Sequence, residues 1–96
     1  MNTLITIKET LQKHKDDIYN KYSVKSFGIF GSYARNEQTK TSDIDILVEF
    51  DKPIGLEFVA LAEYLESLLG IKVDLVSKKS IKPKLMEYIQ RDIHYV

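Results

Sequence analysis

The 96-residue sequence has no cysteine and no tryptophan, only two prolines and four glycines. Without cysteine there is no disulfide framework, no thiolate metal site and no cysteine nucleophile. Neither sign of charge dominates: 14 Lys and Arg balance 14 Asp and Glu, a formal net charge of +0 at pH 7. No global basic excess is present to bind nucleic acid tightly through its phosphates, so any nucleotide contact has to be local. No apolar run approaches the roughly 20 residues of a membrane span. The start MNTLITIKET lacks the basic-then-apolar order of a secretory signal. The expectation is one globular domain over 1–96, cytoplasmic and without a membrane segment.

Periodicity organises the chain. Leu4, Ile7, Leu11, His14 and Ile18 recur every three or four residues, predicting an amphipathic helix from 3 to about 22. VKSFGIF (24–30) reads as a strand ending in Gly31, and 32–42 as a polar loop that can open with one helical turn. DIDILVEF (43–50) has Ile44, Ile46, Val48 and Phe50 at period two, a strand with one apolar face. A helix follows over 55–69 with Phe58, Leu61, Ala62, Leu65 and Leu68 as its stripe and Gly70 as its cap. IKVDLVS (71–77) is a third strand, and the helix between it and 43–50 is the crossover a parallel pair requires. Ser80 is expected to cap a last helix with Pro83 in its first turn and Leu85, Tyr88, Ile89 and Ile93 on its buried side. The tail HYV either finishes that helix or adds an edge strand. The order α, β, loop, β, α, β, α predicts an α/β (α+β) fold, a small mixed β-sheet packed with helices.

Three acids stand out. Asp43 and Asp45, two apart on a strand, would leave one face together, close enough to share a cation. An EF-hand is excluded, because the chain continues Ile46, Leu47, Val48 where a third ligand and a turn glycine belong. Asp74 interrupts an apolar strand, so it is expected to be a buried acid at the depth of Asp45, where the three carboxylates converge. Three hard oxygen donors suit Mg²⁺, which keeps waters and shares its remaining positions with phosphates. Gly31 and Ser32 form the complementary half: a glycine at a strand end admits a ligand close to the backbone, and a serine entering a helical turn offers hydroxyl and N–H groups to phosphate. Ten residues separate Ser32 from Asp43, enough for a loop that returns the chain beside the first strand.

GSYAR (31–35), DID (43–45) after that spacing and a later lone Asp74 on a strand together resemble the DNA polymerase β-like nucleotidyltransferase superfamily. The size of the chain and its ending VDLVSKKSIKPKLMEYIQRDIHYV are similar to the minimal nucleotidyltransferase branch, and the likeness spans nearly the whole chain. The resemblance implies a Mg²⁺-dependent enzyme, with two ions, that moves AMP from ATP to a hydroxyl and releases pyrophosphate. It implies that Gly31 and Ser32 hold the β and γ phosphates and that Asp43 and Asp45 bind metal. Asp74 would be a third ligand or the general base, and Arg35 would neutralise triphosphate charge. The family often has glycine after that arginine. Here Asn36 follows, a residue that tolerates the left-handed conformation.

Larger transferases of this superfamily carry extra helical domains that hold the acceptor, and with some twenty residues after Asp74 no such domain is expected here. The missing surface is expected to come from a second protein, from self-association or from a macromolecular substrate. The resemblance implies that the chain is the antitoxin of a HEPN ribonuclease toxin, a hetero-oligomer being one such arrangement, and that it adenylylates a tyrosine of it. Two other readings remain open: an antitoxin that acts by binding alone, and a small-molecule adenylyltransferase of the antibiotic-modifying type. His14 and His94 are read as structural, without an acid or nucleophile partner nearby. Lys78, Lys79, Lys82 and Lys84 are read as a solvated helix start. Tyr33 either stacks on the base or covers the first strand.

Overall fold

The computed structural model describes residues 2–96. Its elements run α1 (Leu4–Lys13), α2 (Lys15–Lys21), β1 (Val24–Phe30), α3 (Gly31–Ala34), β2 (Ile44–Phe50), α4 (Glu57–Leu69), β3 (Val73–Ser77), α5 (Pro83–Asp92) and β4 (His94–Tyr95), with a 3₁₀ turn over Lys78–Ser80. The four strands form one mixed sheet in the order β3-β2-β1-β4. β2 is parallel to β3, and β1 is antiparallel to both β2 and β4.

α1 opens with a capping box in which Thr3 and Thr6 satisfy each other's backbone N–H groups. The single helix expected over 3–22 is two helices, broken at His14, whose N–H bonds back to Leu11. Asp16 and Asp17 fall in the first turn of α2, where the helix dipole favours acids, so the sequence supplies a new helix start there. Ile7, Leu11 and Ile18 remain buried against Phe27 and Ile29 of β1, Ile44, Ile46 and Val48 of β2, and Leu61 and Leu65 of α4. α1, α2 and α4 thus share one face of the sheet.

Leu47 corrects the one-sided reading of 43–50. It is only 2% exposed, so the central strand β2 is covered on both faces. Gly28 pairs with Leu47, and a Cβ on Gly28 would meet Ile93 at 2.8 Å, which puts the end of the chain over this second face. The missing side chain is what lets Ile93 and β4 approach.

α4 connects the parallel pair, as its length predicts. It ends at Gly70, whose φ of +66° is the left-handed cap and whose N–H bonds to Glu66. Glu66 then reaches forward to accept the Val73 N–H at the start of β3. The last helix departs from expectation. Lys82, with no side-chain hydrogen bond, occupies the N-cap, while Ser80 lies in the 3₁₀ turn; Pro83 is in the first turn as expected. Of its apolar residues Ile89 is buried, but Leu85 and Tyr88 are 54% and 57% exposed. α5 sits at the periphery and buries a strip narrower than its apolar face. The tail forms the short edge strand β4 beside Gly28 and Ile29.

Candidate active site

The register of the sheet determines what meets at one end of it. Asp45 pairs with Phe30 on one side and with Asp74 on the other, so the end of β1, the start of β2 and the start of β3 form one row. Gly31, next after Phe30, turns out of the strand with φ +74°. That left-handed geometry costs an L side chain roughly 1–2 kcal/mol. A side chain is doubly excluded here, because a Cβ on Gly31 would collide with the Asp45 carboxylate. The strand therefore passes directly into α3, which carries Ser32, Tyr33 and Ala34.

α3 lasts one turn. Arg35 and Asn36 close it with N–H bonds to Gly31 and Tyr33, and Asn36 adopts φ +58°, the left-handed conformation expected of it. The Glu37 N–H then bonds to the Ser32 carbonyl at 2.8 Å. Tyr33 is 5% exposed within the core, which accounts for it as cover over the sheet.

Asp45 is half-buried, and Asp74 stands close enough to share a hydrogen bond with it. Burial pushes the Asp45 carboxyl up from 3.8 to about 6, reinforced by the charges of Asp74 and Asp43 and the hydrogen bond, with Arg35 offsetting a part. Asp74 itself is exposed, which corrects the buried acid read from the strand pattern. β3 is an edge strand, so a polar side chain there can face water even between apolar neighbours. Asp43 lies just before β2, exposed, near enough for its charge to act on Asp45.

Among the described residues no three His, Asp or Glu side chains are already gathered tightly enough to hold a metal ion. Asp45 and Asp74 are brought together; Asp43 flanks them. This donor set nevertheless fits Mg²⁺, which is commonly bound by one or two carboxylates with waters and substrate phosphates filling the rest. Two neighbouring carboxylates, one of them with its pKa raised by burial and by the other's charge, are an arrangement that a divalent cation relieves.

Two features escaped the sequence reading. Arg35 is held by two acids, its Nε donating to Glu37 at 2.9 Å and its Nη1 to Asp92 of α5 at 3.0 Å. A cavity of about 680 Å³ adjoins Asp43, with Tyr33, Gln38, Lys40 and Lys72 among its lining residues. A larger one, about 970 Å³, lies at the opposite end of β2 and β3 against Phe50, Phe58 and Leu75, away from the carboxylates.

A strand, a glycine turn and paired carboxylates on the neighbouring strands are the frame of a polymerase β-like nucleotidyltransferase. The chain belongs to the nucleotidyltransferase domain family, whose model matches residues 11–96. It is 55% identical over 100 residues to the Methanocaldococcus jannaschii protein MJ1379, spanning 100% of both chains. To the protein adenylyltransferase MntA of Thermococcus cleftensis it is 44% identical over 97 residues, covering 100% of this chain and 98% of that protein. Among solved structures, one assigned as a minimal nucleotidyltransferase superposes with a TM-score of 0.83 at 31% identity, covering 97% of this chain and 95% of that one. A toxin–antitoxin structure with AMP-PNP superposes with a TM-score of 0.72 at 27% identity, covering 93% and 70%.

Proposed function

We propose that this nucleotidyltransferase is a single-domain protein adenylyltransferase: it moves AMP from ATP to a hydroxyl, a tyrosine, of a partner HEPN ribonuclease toxin and so acts as its antitoxin. The observation that carries the chemistry is the row Gly31, Asp45, Asp74, in which a side-chain-free backbone lies directly against one of two carboxylates at paired strand positions. The partner rests on likeness: a relative named protein adenylyltransferase and a structural neighbour that is a toxin–antitoxin assembly with an ATP analogue.

In this reading the backbone at Gly31 and the hydroxyl of Ser32 hold the β and γ phosphates, and Arg35 adds positive charge beside them. Asp43, Asp45 and Asp74 hold Mg²⁺, in two sites. When bound, the metal withdraws charge from the triphosphate and favours departure of pyrophosphate. The acceptor oxygen bonds to the α-phosphorus as the bond from that phosphorus to the bridging oxygen breaks. Asp74, exposed on the edge strand, is open to an incoming acceptor and, where it is not a metal ligand, is the base placed to take its proton. Asp45, against Gly31, stays on the nucleotide side.

The test is the intact mass of the protein encoded by the neighbouring gene, after incubation with this protein, ATP and Mg²⁺. A gain of one or more AMP units, absent with Asp43→Ala/Asp45→Ala, is the expected result. A stable complex without mass gain would overturn the transfer and leave binding as the antitoxin mechanism.

A further inference from the structure

Asp92 is an acid in an unfavourable place. It is the last residue of α5, where the helix dipole presents partial negative charge and disfavours a carboxylate. Arg91 beside it fits that end of the helix, and Asp92 does not. What Asp92 does have is Arg35: its Oδ2 accepts from Nη1 at 3.0 Å across 57 residues of chain. The contact is half open to solvent, and an ion pair of that kind contributes little to stability. Its consequence lies instead in where it holds the guanidinium.

That guanidinium sits one residue beyond the Gly31–Ala34 turn, and its charge reaches Asp45. Glu37 takes the Nε edge and Asp92 one N–H of Nη1. Arginine has five N–H donors in a planar fork, so three remain uncommitted, both of Nη2 among them. Two acids from separate segments, one in the loop after α3 and one at the end of α5, thereby restrict the rotamers of a long side chain and leave both N–H groups of Nη2 available to an anion. Lysine, a single rotatable point charge, could not be oriented in this way.

We infer that Asp92 is a positioning residue for nucleotide binding: by clamping Arg35 together with Glu37 it orients the free edge of the guanidinium toward the triphosphate, and it makes the C-terminal helix part of the nucleotide site. The inference rests on the reading of Gly31, Ser32 and Arg35 as the triphosphate cradle. It implies that Asp92 acts through Arg35 and not through the fold.

Calorimetric titration of the full chain with AMP-PNP and Mg²⁺ tests it. Asp92→Asn removes the charge-assisted bond but keeps size and shape, and is expected to weaken binding about three- to fivefold. Asp92→Glu, which can still reach Nη1, should restore affinity to within about twofold of the wild type. In the Arg35→Gln background Asp92→Asn should add nothing, since the two residues act as one unit. An additive double variant, unchanged affinity in Asp92→Asn, or tighter binding in it would each overturn the inference, the last by showing that Asp92 restrains Arg35. A wild-type chain that binds no AMP-PNP would overturn the cradle itself, and the positioning role with it. Thermal unfolding of each variant, expected within a few degrees of wild type, separates a positioning effect from loss of fold.

Discussion

Asp45 holds its charge against both its surroundings and its neighbours. Its carboxyl is pushed up to about 6 from 3.8, so between these values the folded protein binds a proton that the unfolded chain releases. Stability from this group is therefore highest below about pH 4 and falls as pH rises through about 6. Asp45→Asn removes the penalty. In chelator at pH 7 it should be more stable than wild type by about 1 kcal/mol in urea unfolding, a figure discounted for solvent screening, and the difference should vanish near pH 4. Millimolar Mg²⁺ should then stabilise the wild type and leave Asp45→Asn nearly unmoved, because ligand binding to the native state alone raises its stability. Equal responses would argue against a metal at Asp45. Gly31 gives the companion prediction. Gly31→Ala places a Cβ onto the Asp45 carboxylate at φ +74°, and transfer to the toxin should fall at least about a hundredfold. The sequence shows these residues, since Gly-Ser, Asp-x-Asp and a lone strand aspartate are visible as types and spacings. It does not show that Asp74 is exposed, because exposure depends on β3 being an edge.

At the scale of elements, the reading succeeds where local chemistry is decisive. α4 has an apolar stripe and a glycine placed for its cap, and both are found, with Gly70 left-handed. The helix expected over 3–22 shows the opposite: its apolar spacing is continuous, but Asp16 and Asp17 favour a fresh start after His14. α5 shows a second limit. Its apolar residues include Leu85 and Tyr88, yet only the Ile89 strip has a surface to pack on. Periodicity gives the face of a helix, not whether the sheet extends far enough to cover it. Gly28→Ala tests how the tail is held. Its Cβ would meet Ile93 at 2.8 Å and the His94 carbonyl at 3.0 Å, so β4 has to shift, and urea unfolding should show a loss of about 1–3 kcal/mol. Ser23, left-handed at φ +58° on the way into β1, provides the reverse case: Ser23→Gly should gain up to about 1 kcal/mol in the same assay.

For the whole molecule the charges balance and, among the described residues, no helix is long and apolar enough to cross a membrane; the proposed function adds a surface that meets a partner. Transfer and binding make different demands on this surface. If neutralisation of the toxin is chemical, Asp45→Asn should form the complex with unchanged affinity but fail to rescue growth of cells expressing the toxin. Rescue by that variant would favour an antitoxin that works by occupancy. The larger cavity lies at the other end of β2 and β3 from Asp45.

By itself the sequence determined the strands, the crossover helix, the glycine turn and the identity of the acids, because each depends on neighbours within a few residues: side-chain period, caps and φ preferences. Its pattern also implied the parallel pairing that sets Asp74 beside Asp45. Only the tertiary structure decided that Gly31 lies against Asp45, that Leu47 is covered from the second face, and that Asp92 reaches Arg35 across 57 residues. Those contacts depend on register and on which surfaces the sheet leaves uncovered. Both are set by the packing of the chain as a whole, and no local pattern encodes them.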